Sequence, residues 1–185
     1  RIRQQERAEM AARVHDSVLQ TLALVQREAG DPRRVATLAR RQERELRAWL
    51  YPDPARTGAG LGSALDAAAT EVEELHGVPV EIVRTGDVPL DDRVEALALA
   101  AREAMANAAK HSGADEVSAF VDVGEDEIAV YVRDRGAGFD PEAVAAGSHG
   151  IAESIRGRMA RAGGTVTISS SGDGTEVELR LGRQA

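Results

Sequence analysis

Apolar residues recur at every third or fourth position near the start of the chain. Met10, Val14, Val18, Leu22 and Val25 make one stripe, which predicts a long helix over 1–29. Gly30-Asp31-Pro32 then supplies a stop and a restart: glycine past one helix end, aspartate as a cap, proline in the next first turn. A second helix is expected over 33–51, with Val35, Leu38, Leu46, Trp49 and Leu50 as its apolar positions. Residues 51–62 are rich in proline and glycine and read as a linker. Leu61, Leu65, Ala68, Val72 and Leu75 then mark a helix over 61–76, and residues 78–83 a strand that Pro79 assigns to an edge or a strand start. Val94, Leu97, Ala98, Ala101, Met105 and Ala108 form the buried face of a helix over 91–111. Two alternating runs, 115–123 and 127–134, predict strands joined at Gly124-Glu125-Asp126. A glycine-containing loop over 136–150, a helix over 151–162 ended by Gly163-Gly164, and a hairpin of 165–170 and 175–181 complete the chain.

These elements fall into two domains, residues 1–56 and 57–185, of the α+β class. The second is expected to be a mixed sheet with helices on one face. The helical hairpin buries little by itself. Pairing two copies as a four-helix bundle would cover both stripes, so a homodimer through residues 1–51 is expected. The alternative is a hairpin folded back within one chain.

Charge supports the division. Residues 1–56 carry 12 basic and 8 acidic side chains, a net of +4, whereas 57–185 carry 11 and 23, a net of −12. Such an acidic surface argues against direct nucleic-acid binding, which draws on clustered cations. Cysteine is absent from the sequence, which excludes disulfides and thiolate metal sites. No apolar run approaches the ~20 residues of a membrane span. The chain opens inside a charged helical pattern, so a membrane connection is expected only through a missing upstream segment.

The candidate chemistry begins with Asp134-Arg135-Gly136-Ala137-Gly138 at a strand end. The carboxylate there is placed to accept a hydrogen bond from a ligand amine. The glycines permit a sharp turn and a close approach. Taken alone, the same residues also suit any acidic turn. On helix 91–111, Glu103, Asn107, Lys110 and His111 fall three and four apart and share a face. Carboxylate and amide oxygens suit Mg²⁺, and a lysine suits phosphate, although a polar stripe is also an ordinary solvated face. Gly147-Ser148-His149-Gly150 precedes a helix whose first N–H groups would seat an anion. Gly174-Thr175 closes the last hairpin.

In this order, Asn107, Asp134-x-Gly136-x-Gly138, Gly150 and Gly174-Thr175 resemble the signature boxes of the Bergerat ATP-binding fold. That fold is shared by histidine kinases, gyrase, the Hsp-ninety chaperones and mismatch-repair proteins. The resemblance covers about residues 61–185. It implies an α/β sandwich that binds ATP and Mg²⁺. Asp134 would accept the adenine amino group, and Gly136 and Gly138 would line the base. Asn107 would hold the metal, with Glu103 near it or its waters. Lys110 and His111 would face the phosphates, residues 139–150, with His149 and Gly150, would be the lid over the cofactor, and the Thr175 hydroxyl could support the loop before Asp134 or contact the ligand.

The run from Glu6 to Thr21, containing His15-Asp16-Ser17-Val18-Leu19-Gln20, resembles the phosphoacceptor helix of sensor histidine kinases that partner NarL-type response regulators. His15 would then be the nucleophile, Asp16 its base and orienter, and Gln20 the residue that positions water for phosphatase activity. Two rival classes remain: a serine kinase of the anti-sigma-factor type, and a noncatalytic dimerising module that only binds ATP.

Overall fold

The computed structural model describes residues 18–19, 21–50, 60–138 and 151–183. His15, Asp16, Gln20, His149 and Gly150 lie outside the described residues. The chain divides into two compact units, residues 1–53 and 54–185.

In the first unit, residues 21–27 are helical and 28–30 turn into helix α1, Pro32–Leu50. The Asp31 carboxylate accepts the Arg34 N–H at 3.2 Å, and Arg34 also reaches Glu28 at 3.1 Å. The Gly-Asp-Pro punctuation therefore works as read, with aspartate satisfying a free donor at a helix start. The Thr21 hydroxyl meets the Gln42 side-chain oxygen, which ties the two helical stretches together.

The second unit is one sheet covered by helices. Its strands are β1 (Val80–Arg84), β2 (Val117–Val123), β3 (Glu127–Asp134), β4 (Gly164–Ser171) and β5 (Gly174–Gly182), in spatial order β1-β2-β3-β5-β4. β1 pairs with β2 in parallel and the remaining pairs are antiparallel. The mixed sheet is as expected. β1 lies at an edge and begins one residue after Pro79, which has no N–H to give. The Val80 N–H is satisfied instead by Glu73, a buried carboxylate of helix α2 (Leu61–His76), at 2.9 Å.

Helix α3 (Asp92–His111) packs against α2, β3 and β5, and helix α4 (Ile151–Arg161) against α3 and β4. The core between helices and sheet includes Leu61, Leu65, Leu97, Met105, Ile155, Met159, Val117, Val130, Leu179 and Leu181. Asp91 starts α3 by accepting the N–H groups of Arg93 and Val94 at 2.9 and 2.7 Å. Arg93 reaches back to the Ala162 carbonyl just past α4, at 2.8 Å. The opposite sheet face is polar and aromatic: Phe120 and Tyr131 sit with ring centres 6.1 Å apart, and Arg180 joins Tyr131, Glu178 and Glu127.

Arg102 of α3 grips Glu71 of α2 with two nitrogens. This hydrogen bond holds the Glu71 carboxyl below its ordinary range, with desolvation opposing and the charge of Arg102 assisting. A lowered carboxyl value adds stability above the unfolded-state value and loses it as pH falls through the folded-state one. The gap between the thermal melts of wild type and Glu71→Gln is therefore expected to narrow as pH falls from 7 through the folded-state value of Glu71. A constant gap would contradict the linkage. Among the described residues, no helix is long and apolar enough to cross a membrane.

Candidate functional site

Three backbone segments converge where β3 ends. Asp134 shares the inward face of β3 with Ile128, Val130 and Val132, as strand alternation requires, and is only 4 % exposed. Its position on a central strand explains this: Val117 of β2 lies opposite on one side and Thr175 of β5 on the other. Burying a carboxylate is costly unless it is bonded. Oδ1 accepts the Gly136 N–H at 2.9 Å, and Oδ2 takes no part in that bond. Cross-strand partners share a face, so Thr175 stands beside Asp134. The Thr175 and Ser170 hydroxyls are hydrogen-bonded at 2.9 Å.

The glycines have a more specific duty than flexibility. A Cβ at Gly136 would stand 2.1 Å from the Ser112 carbonyl oxygen, at the end of α3. One at Gly138, where φ is +64°, would stand 1.7 Å from the Ser171 carbonyl oxygen in the β4–β5 turn. One at Gly174, where φ is +126°, would stand 2.0 Å from the Asp134 carbonyl oxygen. The Ala137 N–H also donates to the Ser112 carbonyl at 3.2 Å. Each glycine thus lets one strand of backbone lie directly on another. Ser112 and Ser171 were not legible as partners, because they act through main-chain oxygens that any residue carries.

On α3, Asn107 is half-buried, whereas Lys110 and His111 are exposed in the last turn. Cations there also suit the negative end of the helix dipole. Among the described residues, no hydrogen bond engages the Asn107, Lys110 or His111 side chains. Because Ser112 follows directly and touches the Asp134 loop, this helix end adjoins the carboxylate. Glu103 is placed differently from the rest. Its Oε2 accepts the Ser154 hydroxyl of α4 at 3.1 Å and lies 3.8 Å from Arg158.

Among the described residues, this donor set fits a nucleotide and a hard cation: a buried carboxylate with an uncommitted oxygen, a cradle without Cβ atoms, and an amide side chain without a partner. Residues 92–185 match the family described as histidine kinase-, DNA gyrase B- and HSP90-like ATPase. The nitrate/nitrite sensor protein NarX of Escherichia coli is 30% identical over 193 residues, covering 89% of this chain and 32% of NarX. The sensor histidine kinase LiaS of Bacillus subtilis is 28% identical over 196 residues, covering 96% of this chain and 54% of LiaS. The chain thus spans about a third to about half the length of these relatives. Among solved structures, the ATP-binding domain of PrrB from Mycobacterium tuberculosis superposes with a TM-score of 0.56 at 25% identity, over 66% of this chain and 93% of that one. The histidine kinase domain of a blue-light-activated kinase from Erythrobacter litoralis has the same fold, with a TM-score of 0.56 at 19% identity over 98% and 94% of the two chains.

Proposed function

The chain belongs to the histidine kinase-, DNA gyrase B- and HSP90-like ATPase family, and from that premise we propose that it works as the catalytic core of a two-component sensor histidine kinase. The observation that carries the nucleotide half is the buried Asp134, held between β2 and β5 above three backbone-on-backbone glycine contacts. In this reading Asp134 accepts the adenine amino group, Gly136 and Gly138 flank the base, and Thr175 steadies the carboxylate. Asn107 holds Mg²⁺, with Lys110, His111, His149 and Gly150 toward the phosphates. When bound, the metal supplies positive charge that offsets the phosphates. The chain's own groups then do the positioning that dominates phosphoryl transfer.

His15 is the nucleophile. Its neutral imidazole attacks the γ-phosphorus of ATP, the bond to the bridging oxygen breaks, and ADP leaves. Asp16 orients and deprotonates the ring, and Gln20 serves phosphatase activity. The phosphoryl group passes to an aspartate of a NarL-type response regulator; the likeness to NarX supports that partner class. Dimerisation through residues 1–51 is supported by the exposure of Leu19 and Leu22, 51% and 52% in the single chain. The chain is then the cytoplasmic portion of a sensor anchored through an upstream segment.

Calorimetric titration with ATP and Mg²⁺ tests the nucleotide half. Asp134→Asn replaces an acceptor with a donor facing the adenine amine. Losing a hydrogen bond to a charged group costs about 1.5–3 kcal/mol, so affinity should fall roughly tenfold or more. Unchanged affinity in a folded variant would reject the adenine role.

A further inference from the structure

Ser154 and Arg158 lie one turn apart on α4 and both address the same oxygen, Oε2 of Glu103 on α3. Residues four apart on a helix share a face, so the two form one clamp. The Arg158 and Glu103 side chains are 30% and 25% exposed, so the pair is partly shielded from solvent. Ile155 and Met159 of α4 are buried, but the buried side of α3 is mostly alanine: Ala98, Ala100, Ala101, Ala104 and Ala108. Such a surface offers low ridges for interlocking. The clamp adds a directional polar contact to this packing.

Glu103 stands one turn before Asn107, and α4 begins three residues before Ser154. We propose that Ser154 and Arg158 are positioning residues that act through Glu103. They set the spacing between the Asn107 turn and the start of α4, and with it the affinity for the phosphate end of the nucleotide. Arg158 also offsets a carboxylate that would repel an anion one turn from Asn107. Oε1 of Glu103 takes no part in either contact and stays available to the metal or its waters. The inference rests on the ATP-binding reading above. It adds that the adenine end, built on Asp134 and the β4–β5 turn, is independent of the clamp.

The test titrates the whole chain with ATP and, separately, with adenosine, both in the presence of Mg²⁺. Ser154→Ala is expected to weaken ATP about fivefold, the lower end of ordinary site coupling, and to leave adenosine unchanged. Arg158→Gln should act in the same direction, and Ser154→Thr, which keeps the hydroxyl, should restore ATP affinity. Equal losses for ATP and adenosine, or no loss for ATP, would overturn the positioning role while leaving ATP binding intact. A wild-type chain that binds neither ligand would overturn the ATP-binding reading and the clamp with it.

Discussion

Replacing His15 with glutamine is expected to abolish phosphorylation of the chain by labelled ATP. Histidine has an unperturbed pKa of about 6.5, so near neutral pH most of the imidazole is unprotonated and nucleophilic. Glutamine keeps polarity and comparable length but has no lone pair of similar basicity. The expected loss is total, because in this reading the residue itself accepts the group. Asp16 is a weaker target. Adjacent helical residues do not share a face, so Asp16 reaches the imidazole only through a particular rotamer or a water. Asp16→Asn should therefore slow labelling without removing it. Gln20, four positions on, should matter for loss of phosphate from the regulator. Equal labelling of wild type and His15→Gln would instead favour a serine kinase of the anti-sigma-factor type.

The largest stability effect is expected at Gly138. An alanine there meets two penalties: a left-handed φ of +64°, and a Cβ 1.7 Å from the Ser171 carbonyl oxygen. The first costs about 1 kcal/mol. The second requires the β4–β5 turn and the Asp134 loop to separate, which brings the sum to about 3 kcal/mol or more. For a unit of this size the melting temperature should drop by roughly 10 °C. Two other glycines calibrate the result. Gly113 has φ of +68°, but a Cβ added there would meet nothing within 4 Å, so Gly113→Ala carries strain alone. Gly172 has open space and no positive φ, so Gly172→Ala should be nearly neutral. A melting series in which Gly138→Ala matches Gly172→Ala would refute the backbone-contact account.

Much of this second unit was legible because its periodicities are local. The 3.6-residue recurrence of Val94, Leu97, Ala101, Met105 and Ala108 and the alternation of Ile128, Val130 and Val132 set which faces are buried. Parity along β3 carries Asp134 to the same inward face. Boundaries were less legible where pairing extends them. The Ser171–Gly174 pair adds a residue to each strand of the final hairpin, so Gly174 belongs to β5 and its glycine serves a close crossing. Likewise β1 starts later than position 78, since its first donor needs the Glu73 carboxylate. The partners of Glu103 were out of reach altogether. Ser154 lies 51 residues away, and nothing in the spacing of Glu103, Asn107 and Lys110 announces that one carboxylate oxygen turns to another helix. Sharing a helical face is a condition for acting together, and it does not decide which partner each side chain takes.

The most direct measurement is to map the phosphoryl group after incubating the wild-type chain with ATP and Mg²⁺. Tryptic digestion under alkaline conditions, followed by fragmentation mass spectrometry, should find the added mass on His15 in the peptide from Val14 to Arg27, removable by mild acid. A modification that survives acid and maps to a serine, or a chain that binds ATP yet carries no phosphoryl group, would contradict the account.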